Sequence, residues 1–306
     1  MVGRFAPSPT GDLHLGNLRT AAIAWLSARS AGIGFVVRME DLDRHQSSRE
    51  HERTQLGDLS SVGLDWDGDV IRQSERFDLY HEAIERLADA GLVYECYCSR
   101  REIRNEIEAS ARAPHGPPGS YPGTCRDLTD AERARRRDEG RPPALRLRSD
   151  HRTVGFVDRL LGPVEAVVDD VVLRRNDGVP AYNLAVVVDD AAQGVSEVVR
   201  GDDLALSTPR QIRLQELLGL ATPRYLHVPL VVDVDGERLA KRRGMSVTLV
   251  DLAGADVDVD AVVAWLTASL GLGPPGRLAD LVERFDTDQL GRESVVAPSF
   301  VLGGGS

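Results

Sequence analysis

The chain opens on a short apolar run. Val2 to Ala6 (VGRFA) reads as a buried strand, a Pro/Gly-rich turn PSPTGD follows, and Leu15, Leu18, Ala22 and Trp25 then recur at helical spacing, with Gly32 placed to stop the helix. GFVVRMED predicts a second buried strand. Strand, glycine-containing loop, helix and strand form the opening of a nucleotide-binding α/β sheet. The opening carries neither G-x-G-x-x-G nor G-x-x-x-x-G-K-[ST], which disfavours a dinucleotide dehydrogenase and a P-loop enzyme.

Helical patterns run from Ser48 to Val62 and from Arg76 to Ala90, the second ending at Gly91. The pattern then breaks. Ser99 to Arg148 holds 12 arginines against eight acidic residues and includes APHGPPGSYPG, so it reads as a basic insertion rather than sheet core. Alternating runs return at TVGFVDRL and EAVVDDVVLRR, and AYNLAVVVDD, EVVRGDD and the helix TPRQIRLQELLGL resume the α/β alternation. From Asp251 to Leu290 there are eight acidic residues and two arginines, with helix patterns around AVVAWLTASLGL and RLADLVERF. This tail is a poor surface for a phosphate backbone.

A length of 306 residues fits two domains, or one large domain with an insertion. No run reaches the roughly 20 apolar residues of a membrane helix, and the N-terminus lacks a basic and then apolar leader, so no membrane partner and a cytoplasmic location are expected. A net charge of -11 excludes a generally basic nucleic-acid coat but leaves room for a local basic face. Of the 37 basic residues only Lys241 is a lysine. Where arginine has replaced lysine elsewhere, a retained ammonium marks a place that needs a compact, rotatable point charge.

Two segments look suited to phosphate. In PSPTGDLHLGN (Pro7 to Asn17) a tight loop brings His14 and Asn17 to a helix N-terminus, where free backbone N–H groups and partial positive charge favour an anion. Some 220 residues later Arg238 to Arg242 (RLAKR) follows a strand-like VPLVVDV and a DGE turn. Arg4 and Arg200, each ending an apolar strand pattern, can offer bidentate donors to a carboxylate; glutamine's amide would face those donors without an acceptor. The cysteines form a third constellation. Cys96-x-Cys98 and Cys125, with one further donor, suit a tetrahedral structural zinc that would staple a loose insertion.

In this order, His14-Leu15-Gly16-Asn17 and Arg238-Leu239-Ala240-Lys241-Arg242 resemble the HIGH and KMSKS motifs of class I aminoacyl-tRNA synthetases, departing from them at Leu15, Asn17, Arg238 and Ala240. GRFAPSPTGDLHLGN, VRMEDLDR, AYNLAVVVDD and VVRGDDL are similar to the glutamyl branch, over about Val2 to Leu252. The resemblance implies an α/β fold with a Rossmann-like parallel sheet, a zinc-containing insertion and a short helical C-terminal region. It divides the chain into a first catalytic half (1–95), the insertion (96–165), a second half (166–235) and the KMSKS-like loop with its acidic tail (236–306). It further implies ATP with Mg2+ and L-glutamate as partners and a monomeric ligase. Arg4, Ser8, Tyr182 and Arg200 would contact glutamate, and Glu40 would pair its α-ammonium. His14, Gly16, Asn17 and Lys241 would hold ATP, with His14 and Lys241 catalytic. Tyr121 is implied as the fourth zinc ligand, with His115 and Asp127 as alternatives from the residues alone.

About 54 residues follow Leu252, too few for a sizeable anticodon-binding domain. The chain thus resembles truncated members of the branch that attach glutamate to queuosine in the anticodon loop of tRNA(Asp). A truncated enzyme charging tRNA(Glu), a small-molecule adenylyltransferase and a non-catalytic RNA-binding module are the competing expectations.

Overall fold

The computed structural model describes residues 1–109, 120–233, 235–236, 248–254, 257–272 and 276–298. The first half runs β1 (Val2–Phe5), α1 (Leu15–Ser30), β2 (Gly34–Met39), α2 (Arg49–Ser61), β3 (Ile71–Arg72) and α3 (Phe77–Asp89). The middle follows as β4 (Val93–Cys96), α4 (Arg100–Ala109), α5 (Asp130–Asp138), β5 (Ala144–Leu147), β6 (Thr153–Asp158), β7 (Gly162–Val167) and β8 (Val172–Arg174). The chain continues with α6 (Tyr182–Ala192), β9 (Val195–Gly201), α7 (Thr208–Leu218), β10 (Arg224–Val228), β11 (Val231–Val232), α8 (Leu249–Gly254), α9 (Val259–Ser269) and β12 (Val295–Val296).

Five parallel strands make the main sheet in the order β10-β9-β1-β2-β3. The winding therefore reverses between β1 and β9. In an open α/β sheet a crevice forms at such a reversal, outside the carboxyl ends of the strands. Arg4, Glu40 and Arg200 lie at or just beyond the carboxyl ends of β1, β2 and β9.

Helix α1 is apolar on nearly every side because it is covered on both. One side lies on β1, β2 and β9, and the other receives Leu266 of α9 with Leu278 and Leu281 of a short 3-10 helix, Leu278–Arg284. Its approach to the sheet is close: a Cβ at Gly3 would come within 2.9 Å of the Ala28 Cβ, so glycine is required there. Buried Arg19 ties the layers, donating to Pro229 O at 3.0 Å and Ser269 Oγ at 3.2 Å.

The apolar run VPLVVDV is split between β10 and β11 by Pro229, which has no N–H to continue a ladder. AYNLAVVVDD forms α6, its Leu184, Ala185, Val186 and Val187 packing into a second core with Tyr80, Ile84 and Leu214. β4, β5 and β8 make a separate three-stranded antiparallel sheet, and β6 and β7 a hairpin. Among the described residues no helix is long and apolar enough to cross a membrane.

Candidate active site and metal centre

The residues expected to act together meet in one cleft of about 560 Å³ at the sheet reversal. Arg4, Ser8, His14, Gly16, Asn17, Glu40, Tyr182 and Arg200 all line it. Lys241, Arg238, Leu239, Ala240 and Arg242 lie outside the described residues, as does His115.

One wall is the loop from Pro7 into α1. Its backbone is pinned at three points: Glu40 N donates to Pro7 O (2.9 Å), Ser48 N to Pro9 O (3.0 Å), and the buried Gln55 amide to Ser8 O and Gly11 O (3.0 and 2.6 Å). The loop ends in a capping box. Asn17 N donates to His14 Nδ1 at 3.3 Å, and His14 N donates to Asn17 Oδ1 at 3.2 Å. With Nδ1 accepting, the neutral imidazole carries its proton on Nε2, and burial favours that neutral form by lowering the pKa. His14 therefore presents one N–H donor beside the free amides of α1, an arrangement suited to a phosphate oxygen. Gly16 makes room for the ring, since a Cβ there would stand 3.0 Å from His14 Cε1 and Nδ1.

The opposite wall is built of arginines. Arg4 is 4% exposed, donates through Nη1 to Val199 O at 3.0 Å, and lies 3.5 Å from Asp190 Oδ1. Burial lowers its pKa, and Asp190 opposes the shift. Arg200 is held on one edge by His227 and Thr208 and reaches the Tyr182 hydroxyl with Nη1 at 3.4 Å. Burial raises the pKa of Glu40, opposed by the cations Arg38 and Arg4. Cationic donors for a carboxylate and one carboxylate for an ammonium thus share a cleft with a phosphate-type helix terminus. That set fits an α-amino acid with an acidic side chain lying next to a nucleotide.

Residues that the sequence reading passed over hold this wall in place. Arg38, with no solvent exposure, donates to Asp190 Oδ1 (2.8 Å), Gln193 Oε1 (2.7 Å) and Glu40 Oε1 (3.3 Å). Burial alone would lower its pKa, but Asp190, Glu40 and Asp189 carry it above the ordinary value. Asp189 accepts from Gln73, Arg76 and Tyr80. Asp189 and Asp190 sit in the last turn of α6, the end whose dipole disfavours anions, and buried arginines make them tolerable there. Arg38 ends an apolar strand as Arg4 and Arg200 do, so the signal for it was in the sequence.

The cysteines converge elsewhere, where β4 leads into α4. Their sulfurs all lie within 4.8 Å of one another, with Cys98 and Cys125 Sγ 3.4 Å apart. Tyr121 Oη stands 3.4 Å from Cys96 Sγ and 3.5 Å from Cys98 Sγ. Around a tetrahedral zinc, bonds of about 2.3 Å to sulfur and 2.0 Å to oxygen place neighbouring sulfurs roughly 3.8 Å apart and oxygen roughly 3.5 Å from sulfur. The cluster fits a metal of that kind. Burial and the neighbouring Cys96 and Cys98 thiols push the Tyr121 hydroxyl pKa up; Cys125 N, which donates to its oxygen at 2.8 Å, opposes that shift, and the Arg146 guanidinium lies 3.8 Å over the ring. Asp127 is exposed and engaged with Arg148 at 3.0 Å instead.

A parallel α/β sheet with a helix-capping histidine and buried arginines beside a glutamate at its reversal point suits an enzyme that uses a nucleotide. The chain belongs to the family of class I tRNA synthetases (E and Q), catalytic domain, whose sequence model matches residues 1–289. A relative from Nocardia farcinica, named glutamyl-Q tRNA(Asp) synthetase, is 60% identical over 292 residues, covering 95% of this chain and 91% of the relative. A glutamate–tRNA ligase of Oleidesulfovibrio alaskensis is 43% identical over 96% of this chain and 63% of its own length. The crystal structure of a glutamate-tRNA synthetase from Elizabethkingia anophelis superposes with a TM-score of 0.80 at 24% identity, covering 98% of this chain and 68% of that one, a likeness of fold. The chain is an aminoacyl-tRNA synthetase-class ligase with glutamate–tRNA ligase-like activity.

Proposed function

We propose that this enzyme activates L-glutamate with ATP to glutamyl-adenylate and transfers the glutamyl group to queuosine in the anticodon loop of tRNA(Asp). The observation that carries the activation half is the cleft, where Arg4 and Arg200 face Glu40 beside the His14 cap. The acceptor is supported by the name of the 60% identical relative from Nocardia farcinica.

In this reading Arg4 and Arg200 bind the glutamate side-chain carboxylate, with Ser8 and Tyr182 completing the contacts, and Glu40 binds the α-ammonium. An α-carboxylate oxygen attacks the α-phosphorus of ATP, the bond to the bridging oxygen breaks, and pyrophosphate leaves. His14 Nε2–H, Gly16 and Asn17 hold phosphate oxygens, and Lys241, beyond the described residues, stabilises the leaving pyrophosphate. A queuosine hydroxyl then attacks the glutamyl carbonyl and AMP leaves. No side-chain nucleophile is needed; positioning and charge supply the catalysis. Mg2+ accompanies ATP as counter-charge. A structural zinc on Cys96, Cys98, Tyr121 and Cys125 would cross-link the insertion that carries α4 and α5, where Arg100, Arg101, Arg104 and Arg135 are exposed towards solvent and can meet RNA phosphates.

The test is transfer of labelled glutamate to an anticodon stem-loop with and without queuosine, and to whole tRNA(Glu). Glutamylation of the queuosine stem-loop alone, falling steeply with salt while ATP/pyrophosphate exchange does not, is the expected result. Label on the 3′-terminal ribose of tRNA(Glu), with inert queuosine stem-loops, would establish a conventional acceptor instead.

A further inference from the structure

Behind Arg200 runs a buried chain of polar groups that no substrate can reach. Asp158 closes β6, and its Oδ1 accepts from Leu160 N and Leu161 N, both at 2.9 Å. Its Oδ2 accepts from His227 N at 3.0 Å and meets His227 Nδ1 at 2.7 Å. Both residues have fully buried side chains. A carboxylate in that position fixes the proton of the neutral imidazole on Nδ1 and leaves Nε2 as an acceptor. That acceptor faces Arg200 Nε at 3.1 Å, while Arg200 Nη2 donates to Thr208 Oγ1 at 2.7 Å. Two of the five guanidinium donors are thereby spent on one edge, and the remaining edge is turned towards Tyr182 and the cleft.

We propose that His227, locked by Asp158 as its Nδ1–H tautomer, is a positioning residue that orients Arg200 and thereby sets glutamate affinity without touching the substrate. The inference rests on the reading that Arg200 binds the glutamate carboxylate.

The contact with Arg200 is matched to one protonation state, although Thr208 Oγ1, 3.1 Å from Nε2, could accept from an Nε2–H. An Nε2–H, whether from the other tautomer or from imidazolium, would point a donor at the Arg200 Nε–H. The charged groups around the ring are Asp158 from β6, Arg200 from β9 and, further off, Arg4 from β1; Thr208 of α7 and the aromatic faces of Phe156 and Tyr225 complete its surroundings. Burial lowers the His227 pKa, with Asp158 opposing, and burial keeps Tyr225 neutral. Acidification below the ordinary histidine range therefore costs the acceptor, and glutamate affinity should fall there.

The first substitution is Asp158→Asn. Turned with its nitrogen to His227, the amide would donate to Nδ1 and reverse the tautomer, at the cost of facing the His227 N–H with a second donor. Melting curves therefore accompany it, and His227→Ala and His227→Gln carry the test if it fails to fold. In glutamate-dependent ATP/pyrophosphate exchange, Asp158→Asn and His227→Ala should each raise the glutamate KM at least tenfold, with kcat and the ATP KM within about threefold of the parent. His227→Gln, whose carbonyl can accept from Arg200 Nε, should recover part of the loss and flatten the acidic limb of the pH profile. Arg200→Ala runs in parallel. If it raises the glutamate KM but Asp158→Asn and His227→Ala do not, or if both of these lower kcat and weaken ATP equally, the relay is wrong. If Arg200→Ala itself leaves the glutamate KM unchanged, the assignment of the carboxylate site has failed instead.

Discussion

Replacing Arg4 with Met removes a guanidinium while keeping an unbranched stem in the same channel. Arg4 gives one hydrogen bond to the protein, through Nη1 to Val199 O, and Nη2 has no acceptor among the described residues. Its ion pair with Asp190 is loose at 3.5 Å, and Asp190 keeps a shorter one with Arg38 at 2.8 Å. The folded protein therefore loses little, and the melting temperature should move slightly. The bound substrate loses much: withdrawing the partner of a buried charge costs about 3–5 kcal/mol, roughly 10² to 4 × 10³ in affinity. Glutamate-dependent ATP/pyrophosphate exchange at saturating ATP reads this as a raised glutamate KM with a nearly unchanged ATP KM. Glutamine, which offers the guanidinium one neutral acceptor in place of a carboxylate, should remain a poor substrate throughout. A folded Arg4→Met protein with a glutamate KM within about threefold of the parent would refute the carboxylate clamp.

Three other outcomes are expected. Purified protein should hold about one zinc per chain, lost in Cys98→Ser and in Tyr121→Phe together with a drop in melting temperature, and retained in Asp127→Ala, whose carboxylate is already engaged by Arg148; metal analysis with melting curves decides. Asp58 is pushed up to about 6 by burial and by Asp12, and its Oδ2 has no partner. A carboxyl raised in the folded state loses stability as pH climbs from about 4 to 6, so Asp58→Asn should stabilise the protein by about 1–3 kcal/mol at pH 8 and hardly at pH 4, as urea melts at both values would show. Lys241→Arg should lower kcat at least tenfold with glutamate and ATP binding little altered, because a pyrophosphate contact made in the transition state needs the ammonium's freedom; near-normal turnover would make its survival among 36 arginines an accident.

Much of this was legible in the residues because the main signals are local. Ser48 to Val62 and Arg76 to Ala90 bracket α2, capped by the Ser48 side chain, and α3, which has no side-chain N-cap, and the Pro7 to Asn17 loop announced the start of α1 at His14. Arg4 and Arg200 could be read from strand ends because parallel strands deliver their last residues to one crevice, whereas Glu40 was implied by the family resemblance. What stayed hidden was pairing at a distance. Asp189 and Asp190 look like the polar end of a surface helix until Arg38, more than 150 residues away, is placed against them. His227 sits in an apolar strand as an unremarkable polar residue, and its role depends on Asp158, which the sequence presents only as one polar position of the alternating run TVGFVDRL.

The placing of β1 in the sheet bears on how the chain can reach its native state. β1 is a central strand, yet one of its flanking partners, β9, begins about 190 residues further along the chain, at Val195. Until β9 has emerged after it, β1 has an open edge, and the cleft lacks the wall that carries Arg200. Closing so large a loop before the pairing is rewarded makes a slow final step and leaves a hydrophobic edge exposed in the interval. Nascent chains stalled before β9 should therefore be unable to retain glutamate, and should depend on chaperones more than their compact final form would lead one to expect.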